Sequence, residues 1–243
     1  MTLDLIVITT TFGAAFIHGV SGFGFALIAM PVLSGFTSIH VAAPLVALAT
    51  LTNNTLLSIY YRQSFDLAIV TNLLLGSILG IPFGLLALRY VPEAWMLVTL
   101  GSVISAYAMY SLVRPHVNPI SKSKAWAYGA GFLSGILNGS YNLPGPPIVV
   151  YGSSQLWPPE QFKGNLTAYF WANAMFAVIG HSVQHRYSES IIQQVAIAVP
   201  GLILGLSLGV LLSRLFDPAF FRKVVNGILT AIGVRLVILG FQP

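Results

Sequence analysis

Apolar residues run along this chain in ten blocks, at about 3 to 20, 23 to 37, 40 to 61, 66 to 89, 93 to 114, 124 to 138, 144 to 157, 161 to 185, 189 to 213 and 218 to 240. Runs such as Leu67 to Leu88, Trp95 to Val113 and Val195 to Leu212 approach or exceed the roughly 20 residues with which a helix crosses a bilayer. The alternating strands of about ten residues that a membrane barrel needs are not seen. The pattern predicts an all-α polytopic membrane protein, its segments divided five and five by the most polar connector, Arg114 to Lys124 (RPHVNPISKSK). The expected organisation is a first transmembrane repeat over 1–114, a linker over 115–123 and a second repeat over 124–243.

One apolar block in each half is broken. Asn138 to Tyr151 (NGSYNLPGPPIVVY) holds three prolines, two glycines and two asparagines where a continuous helix would be expected. His18 to Pro31 (HGVSGFGFALIAMP) breaks in a similar way, and Gly19 with Gly135 and Pro31 with Pro147 align at a shift of 116 residues. A second register supports duplication. Gly76, Gly80, Gly84 and Arg89 recur 125 residues later as Gly201, Gly205, Gly209 and Arg214, and Pro92 and Gly101 match Pro218 and Gly227 at a shift of 126. Small-xxx-small spacing also recurs in membrane helices simply because small residues let backbones approach, so the arginine and the proline carry the case for duplication.

Basic residues set the orientation. Arg114, Lys122 and Lys124 in the linker, and Arg214, Arg222 and Lys223 around Asp217, place both loops in the cytoplasm. Segments 161 to 185 and 189 to 213 supply two crossings between them, so segment 124 to 157 must enter and leave on one side. Its arms of about 14 residues reach roughly 21 Å, short of the hydrocarbon core. The expectation is a broken or re-entrant helical hairpin plus three transmembrane helices in each repeat, the odd number of crossings making the two repeats inverted. Arg62, Arg89 and Arg186 favour neither side, and segment 3 to 20 is long enough to span.

Composition narrows the function. Charged residues make up 7% and hydrophobic residues 56% of the chain, against roughly 25% charged in a soluble domain. The net charge of +5 comes from basic residues lying mainly between apolar segments, which points to lipid headgroups and not to nucleic acid. The absence of cysteine excludes disulfides, thiolate metal sites and thiol catalysis. Met1-Thr2-Leu3-Asp4 offers no basic region before the first apolar block, so no cleaved signal peptide is expected. No P-loop appears, which disfavours an ATP-driven pump.

Backbone that leaves helical geometry at membrane depth must be buried in protein or line a wet cavity. The two breaks therefore mark a cavity. A new helical arm begins after each, near Ser21 to Phe25 and at Pro146-Pro147, and helix starts favour an anion. The arms that end there present carbonyls, which favour cations, and the side chains tilt the balance. His18, Ser21, Asn138, Ser140, Tyr141 and Asn142 can donate hydrogen bonds, while Gly22, Gly24, Gly139 and Gly145 allow close approach. The acidic residues Asp4, Asp66, Glu93, Glu160, Glu189 and Asp217 all sit at segment ends, so neither an amine nor a metal site is expected, and no cofactor is implied. His18 is the ionisable residue within a span and thus a functional candidate, with donation to a core carbonyl as its bland alternative. Asn53, Asn54, Asn165 and Asn173 serve either as interhelical glue or as cavity lining, and Lys163 either marks the cytoplasmic rim, the favoured reading, or snorkels to headgroups. His181, His185 and Arg186 end a span and are expected at the surface, while Tyr60, Tyr61, Trp95 and Trp157 read as an interfacial belt.

These breaks resemble the motifs of the TauE/SafE sulfite exporter family, the TSUP transporters, and the resemblance covers essentially the whole chain. Gly22-Phe23-Gly24 with Pro31 corresponds to the family's first glycine cluster and proline; Gly139 and Gly145-Pro146-Pro147 with Tyr151 correspond to the second motif; Lys163 stands where many members carry a basic residue. Phe25 replaces a common further glycine, and Ser140-Tyr141-Asn142-Leu143 replaces the usual glycine-rich turn, which suggests a pocket shaped by an aromatic and an amide. The resemblance implies export, or sometimes uptake, of sulfite or organosulfonates such as sulfoacetate, with protons as the coupling ion. The expectation is a secondary-active transporter in the cell inner membrane, with a small anionic substrate and the lipid bilayer as partners and a homodimer left open. A passive anion channel is the nearest alternative. An intramembrane enzyme, the rival from another class, would need an unusual His/Ser arrangement, since no Asp, Glu, Cys or HExxH pair lies within the spans.

Overall fold

The computed structural model describes residues 3–61, 64–113 and 123–242, and among these the regular structure is entirely helical. The first half contains α1 (Leu3–Ser21), α2 (Phe25–Ser34), α3 (Ile39–Tyr61), α4 (Leu67–Tyr90) and α5 (Glu93–Val113). The second contains α6 (Lys124–Tyr141), α7 (Gly145–Ser154), α8 (Pro159–Val183), α9 (Glu189–Leu212) and α10 (Pro218–Gly240), with a 3-10 turn at Ser213–Leu215. The linker, with Arg114 and Lys122, lies outside the described residues apart from Ser123, as do Arg62 and the side chains of Tyr60, Tyr61 and Arg214.

Local chemistry sets the helix starts. Asp66 caps α4 by accepting from the N–H groups of Ala68 (2.9 Å) and Ile69 (3.2 Å), and Ser188 caps α9 by accepting from Ile191. Prolines open α7 and α8, where a missing N–H costs nothing. Replacing Asp66 with alanine should cost about 1 kcal/mol, seen as a lower thermal unfolding midpoint with unchanged helix content.

Among the described residues α1, α3, α4, α5, α9 and α10 are long and apolar enough to cross a membrane. α8 is not among them because Glu160, Lys163, Asn165, Asn173 and His181 lower its hydropathy, yet its 25 residues reach about 37 Å. The hairpin arms are unequal. They measure 19 and 10 residues in the first half and 18 and 10 in the second, against the expected 14 or so. The short α2 has nine of its ten residues buried, as interrupted backbone at membrane depth requires.

The closest helix pairs, α4 with α6, α1 with α9 and α5 with α10, each join one half to the other. Glycine makes the approach possible. A Cβ on Gly76, Gly80 or Gly84 would strike the carbonyl oxygens of Tyr128, Phe132 and Ile136, and one on Gly131, Gly135 or Gly139 those of Leu73, Ser77 and Ile81. Gly205 and Gly209 sit in the same way on Phe12 and Phe16. Contacts that climb together make α4 parallel to α6 and α1 parallel to α9, whereas Gly101 with Gly233 and Gly240 with Ala94 make α5 and α10 antiparallel.

The register between the breaks differs from the shift of 116. α2 and α7 are both ten residues long and begin at Phe25 and Gly145, α1 and α6 end at Ser21 and Tyr141, and α3 and α8 begin at Ile39 and Pro159, a constant offset of 120. The two offsets differ by four residues, about one helical turn. Such a slip leaves each glycine on the same face, so sequence periodicity does not separate them. The structural register pairs His18 with Asn138 and Asn53 with Asn173.

Candidate functional site

The first break is built from glycine. Gly22 and Gly24 have φ of 82° and 104°, a region that other residues rarely enter, and Gly24 starts α2 without a side-chain cap. Ser21 Oγ lies within reach of the carbonyl oxygens of Ile17 (2.7 Å) and Phe23 (2.5 Å), which holds the turn. The N–H groups of Phe25, Ala26 and Leu27, in the first turn of α2, have no intrahelical acceptor. In the second break Asn142 takes the left-handed conformation at φ 52°, and its Nδ2 donates to Ala43 O at 2.5 Å. Here the two starts differ. Pro146 and Pro147 carry no N–H, so α7 offers fewer donors than α2.

The tips of the two hairpins meet. Gly24 to Leu27 from the first break and Leu143 to Gly145 from the second enclose a space of about 20 Å³, closed on its sides by His18, Thr50, Asn54 and Phe170. That is room for one or two water-sized groups. His18 Nδ1 lies 2.8 Å from Asn53 Nδ2. With the amide nitrogen turned to the ring, Nδ1 accepts and the proton sits on Nε2. His18 Nε2, Thr50 Oγ1 and Asn54 Oδ1 are all buried without a hydrogen-bond partner. Buried polar atoms are nearly always paired, so three unpaired ones around one small space mark a place where a ligand completes the bonding.

A second cavity of about 830 Å³ reaches this space, sharing Gly24 and Leu27 with it. It opens between the C-terminal end of α5, the N-terminal ends of α8 and α10 and the turn after α9, with Ser21, Lys163 and Arg222 in its walls. Lys163 runs its stem across Gly22, where an added Cβ would lie 3.1 Å from Lys163 Cγ. On the opposite face the corresponding space is filled. Leu88, Met96, Leu100 and Leu143 are each at most 2% exposed there, and the Tyr141 hydroxyl lies 3.5 Å from Met96 Sδ.

The residues singled out in the sequence thus fall into three groups. His18, Gly24 and Gly145 line the space between the tips, with Asn53 behind His18; Ser21, Gly24 and Lys163 line the large cavity, with Gly22 under Lys163. Asn138, Gly139, Ser140, Tyr141, Asn142 and Asn165 make contacts within the protein. Asn138 Nδ2 donates to Asn173 O (2.9 Å), Gly139 packs on α4, Ser140 Oγ donates to Gly84 O (3.2 Å), and Asn165 Oδ1 accepts from Asp66 N (2.7 Å). Thr50 escaped notice, although its spacing of four from Asn54 places both on one face of α3. The expectation of a surface position fails for His181, which is 0% exposed with both ring nitrogens unpartnered. It shares the buried face of α8 with Ala174 and Ala177, because α8 continues beyond it to Val183. His185 is exposed, and the half-buried Arg186 places Nη1 3.3 Å from His40 Nδ1.

A multi-pass helical bundle in which two broken helices meet at a small space edged by His18, Thr50 and Asn54 has the build of a membrane protein of the transporter class. The chain belongs to the family described as Sulfite exporter TauE/SafE, whose model matches residues 7–236. It is also similar to the "Probable sulfite/organosulfonate exporter TauE" of Cupriavidus necator, 26% identical over 244 residues that cover 98% of this chain and 95% of the other. No solved structure matches.

Proposed function

We propose that this protein is a secondary-active exporter of a small sulfur oxyanion or organosulfonate, working by alternating access with protons as the coupling ion. The observation that carries this is the space between the hairpin tips, where a helix start with free N–H groups faces unpartnered buried atoms of His18, Thr50 and Asn54. The substrate's oxygens are held by the first turn of α2, His18 Nε2 and Thr50, and Lys163 draws the anion in from the large cavity. Membership of a sulfite exporter family and likeness to a sulfite/organosulfonate exporter supply the substrate class. In support of inverted repeats, exchanging the halves turns the α1–α9 pair into α6–α4 and returns the α5–α10 pair to itself, with α5 antiparallel to its counterpart α10. The basic residues Arg222 and Lys223 beside its mouth favour the cytoplasmic side of an inner membrane for the open cavity. The filled opposite face favours a transporter over a channel, which would need a continuous path.

Proteoliposomes test this directly. Sulfite or sulfoacetate should accumulate against its own gradient when a pH gradient is imposed, and collapse of that gradient should stop it. Flux that only ever runs downhill would establish a channel; absence of flux with any sulfur oxyanion would overturn the substrate class.

A further inference from the structure

The large cavity is far bigger than an inorganic oxyanion needs. At about 830 Å³ it falls in the range of pockets that enclose whole organic ligands. Its chemistry is two-sided. One wall carries Arg222 and, one turn on along α10, Asn226, whose Nδ2 donates to Ser111 Oγ at 2.9 Å. Lys163 stands in the wall formed by α8. Neither Lys163 nor Arg222 forms a hydrogen bond or ion pair with another described residue, and Glu160 is the one carboxylate among the described residues of the lining. Leu27 and Ile28 of α2, with Val225, Leu229 and Phe221 of α10 itself, form the apolar part of the lining, interspersed with serines. Unpaired cations beside an apolar surface, inside a cavity of this size, match a molecule that pairs an anionic head with an apolar body.

We infer that this vestibule is a second anion site, separate from the space between the hairpin tips, in which Arg222 binds the head of an organic oxyanion whose apolar body lies along Val225, Leu229 and Phe221. Its place ahead of the tip site rests on the export reading above; its existence as a binding site does not. An oxyanion head could belong to a free solute or to a lipid phosphate, and the buried apolar lining of Leu27, Ile28 and Leu229 inside the bundle favours the solute.

The test is calorimetric titration of benzenesulfonate into the full chain in phosphatidylcholine nanodiscs, with empty discs subtracted. Wild type should bind, Arg222→Gln should weaken binding roughly fivefold, and Arg222→Lys should recover most of the loss. Lys223→Gln removes the same charge one residue along; both residues are exposed but Lys223 lies outside the cavity lining, and the variant should bind like wild type. His18→Asn alters the tip site alone and should also leave benzenesulfonate binding intact. Equal affinities for Arg222→Gln and wild type would overturn the vestibule site, and so would an equal loss in Lys223→Gln, which would reveal a general surface field. Loss of binding in His18→Asn would move the ligand to the tips and overturn the second site while sparing the export reading. Displacement of benzenesulfonate on adding phosphatidylglycerol to the discs would assign Arg222 to a lipid headgroup and overturn the solute. If benzenesulfonate binds as expected while sulfite is never transported, the vestibule site stands and the export reading falls.

Discussion

His18→Asn is expected to fold like wild type and to lose roughly 10- to 100-fold in sulfite transport, the scale of a missing hydrogen bond to a charged ligand. Asparagine can place Oδ1 where His18 Nδ1 now accepts from Asn53, so the interhelical tie survives while Nε2 disappears. The second half already carries an asparagine at this place, though with the hydrogen bond reversed. At the equivalent position Asn138 donates to Asn173, itself the equivalent of Asn53, in an equally buried setting. A matching thermal midpoint together with slow transport would separate the role of Nε2 from that of the fold. Wild-type transport rates would remove His18 from the substrate's contacts and with it the central residue of the site.

The largest structural effect is expected from Gly80→Val. Gly80 rests against Phe132 O in α6, and any Cβ there forces α4 and α6 apart. The cost should reach about 3 kcal/mol or more, a fall in unfolding midpoint of roughly 10 °C or loss of a monodisperse peak on gel filtration. Gly129→Val supplies the control, since nothing lies within 4 Å of a Cβ at that position. If both variants melt together, the backbone contact between α4 and α6 is wrong.

Much of this architecture could be read from the chain. The ten apolar blocks coincide, to within a few residues at each end, with the ten α-helices of the described residues, and proline with glycine located both breaks, because lipid leaves backbone so few alternatives to helix. What could not be read depended on rotation and on distance. Ser140, Tyr141 and Asn142 have the composition of a ligand site, but α6 turns Ser140 onto Gly84 and Tyr141 onto Met96. Thr50 has a composition of no interest and reaches the space between the tips because α3 passes beside them. His181 is buried for the related reason that nearness to a helix end says nothing of which face is covered. Arg222 served the sequence argument only as a topological marker, and nothing in its neighbourhood along the chain signals the cavity it lines.

The glycine contacts have a mechanical meaning. Helices whose backbones touch over several turns behave as one stiff body, and each such pair here draws one member from either side of the linker. The two halves of the chain are therefore interlaced, and severing the chain between them would not yield two separable lobes. Any rocking motion must be shared out among α1 with α9, α4 with α6 and α5 with α10, so the moving parts of this machine do not follow the two halves of its sequence.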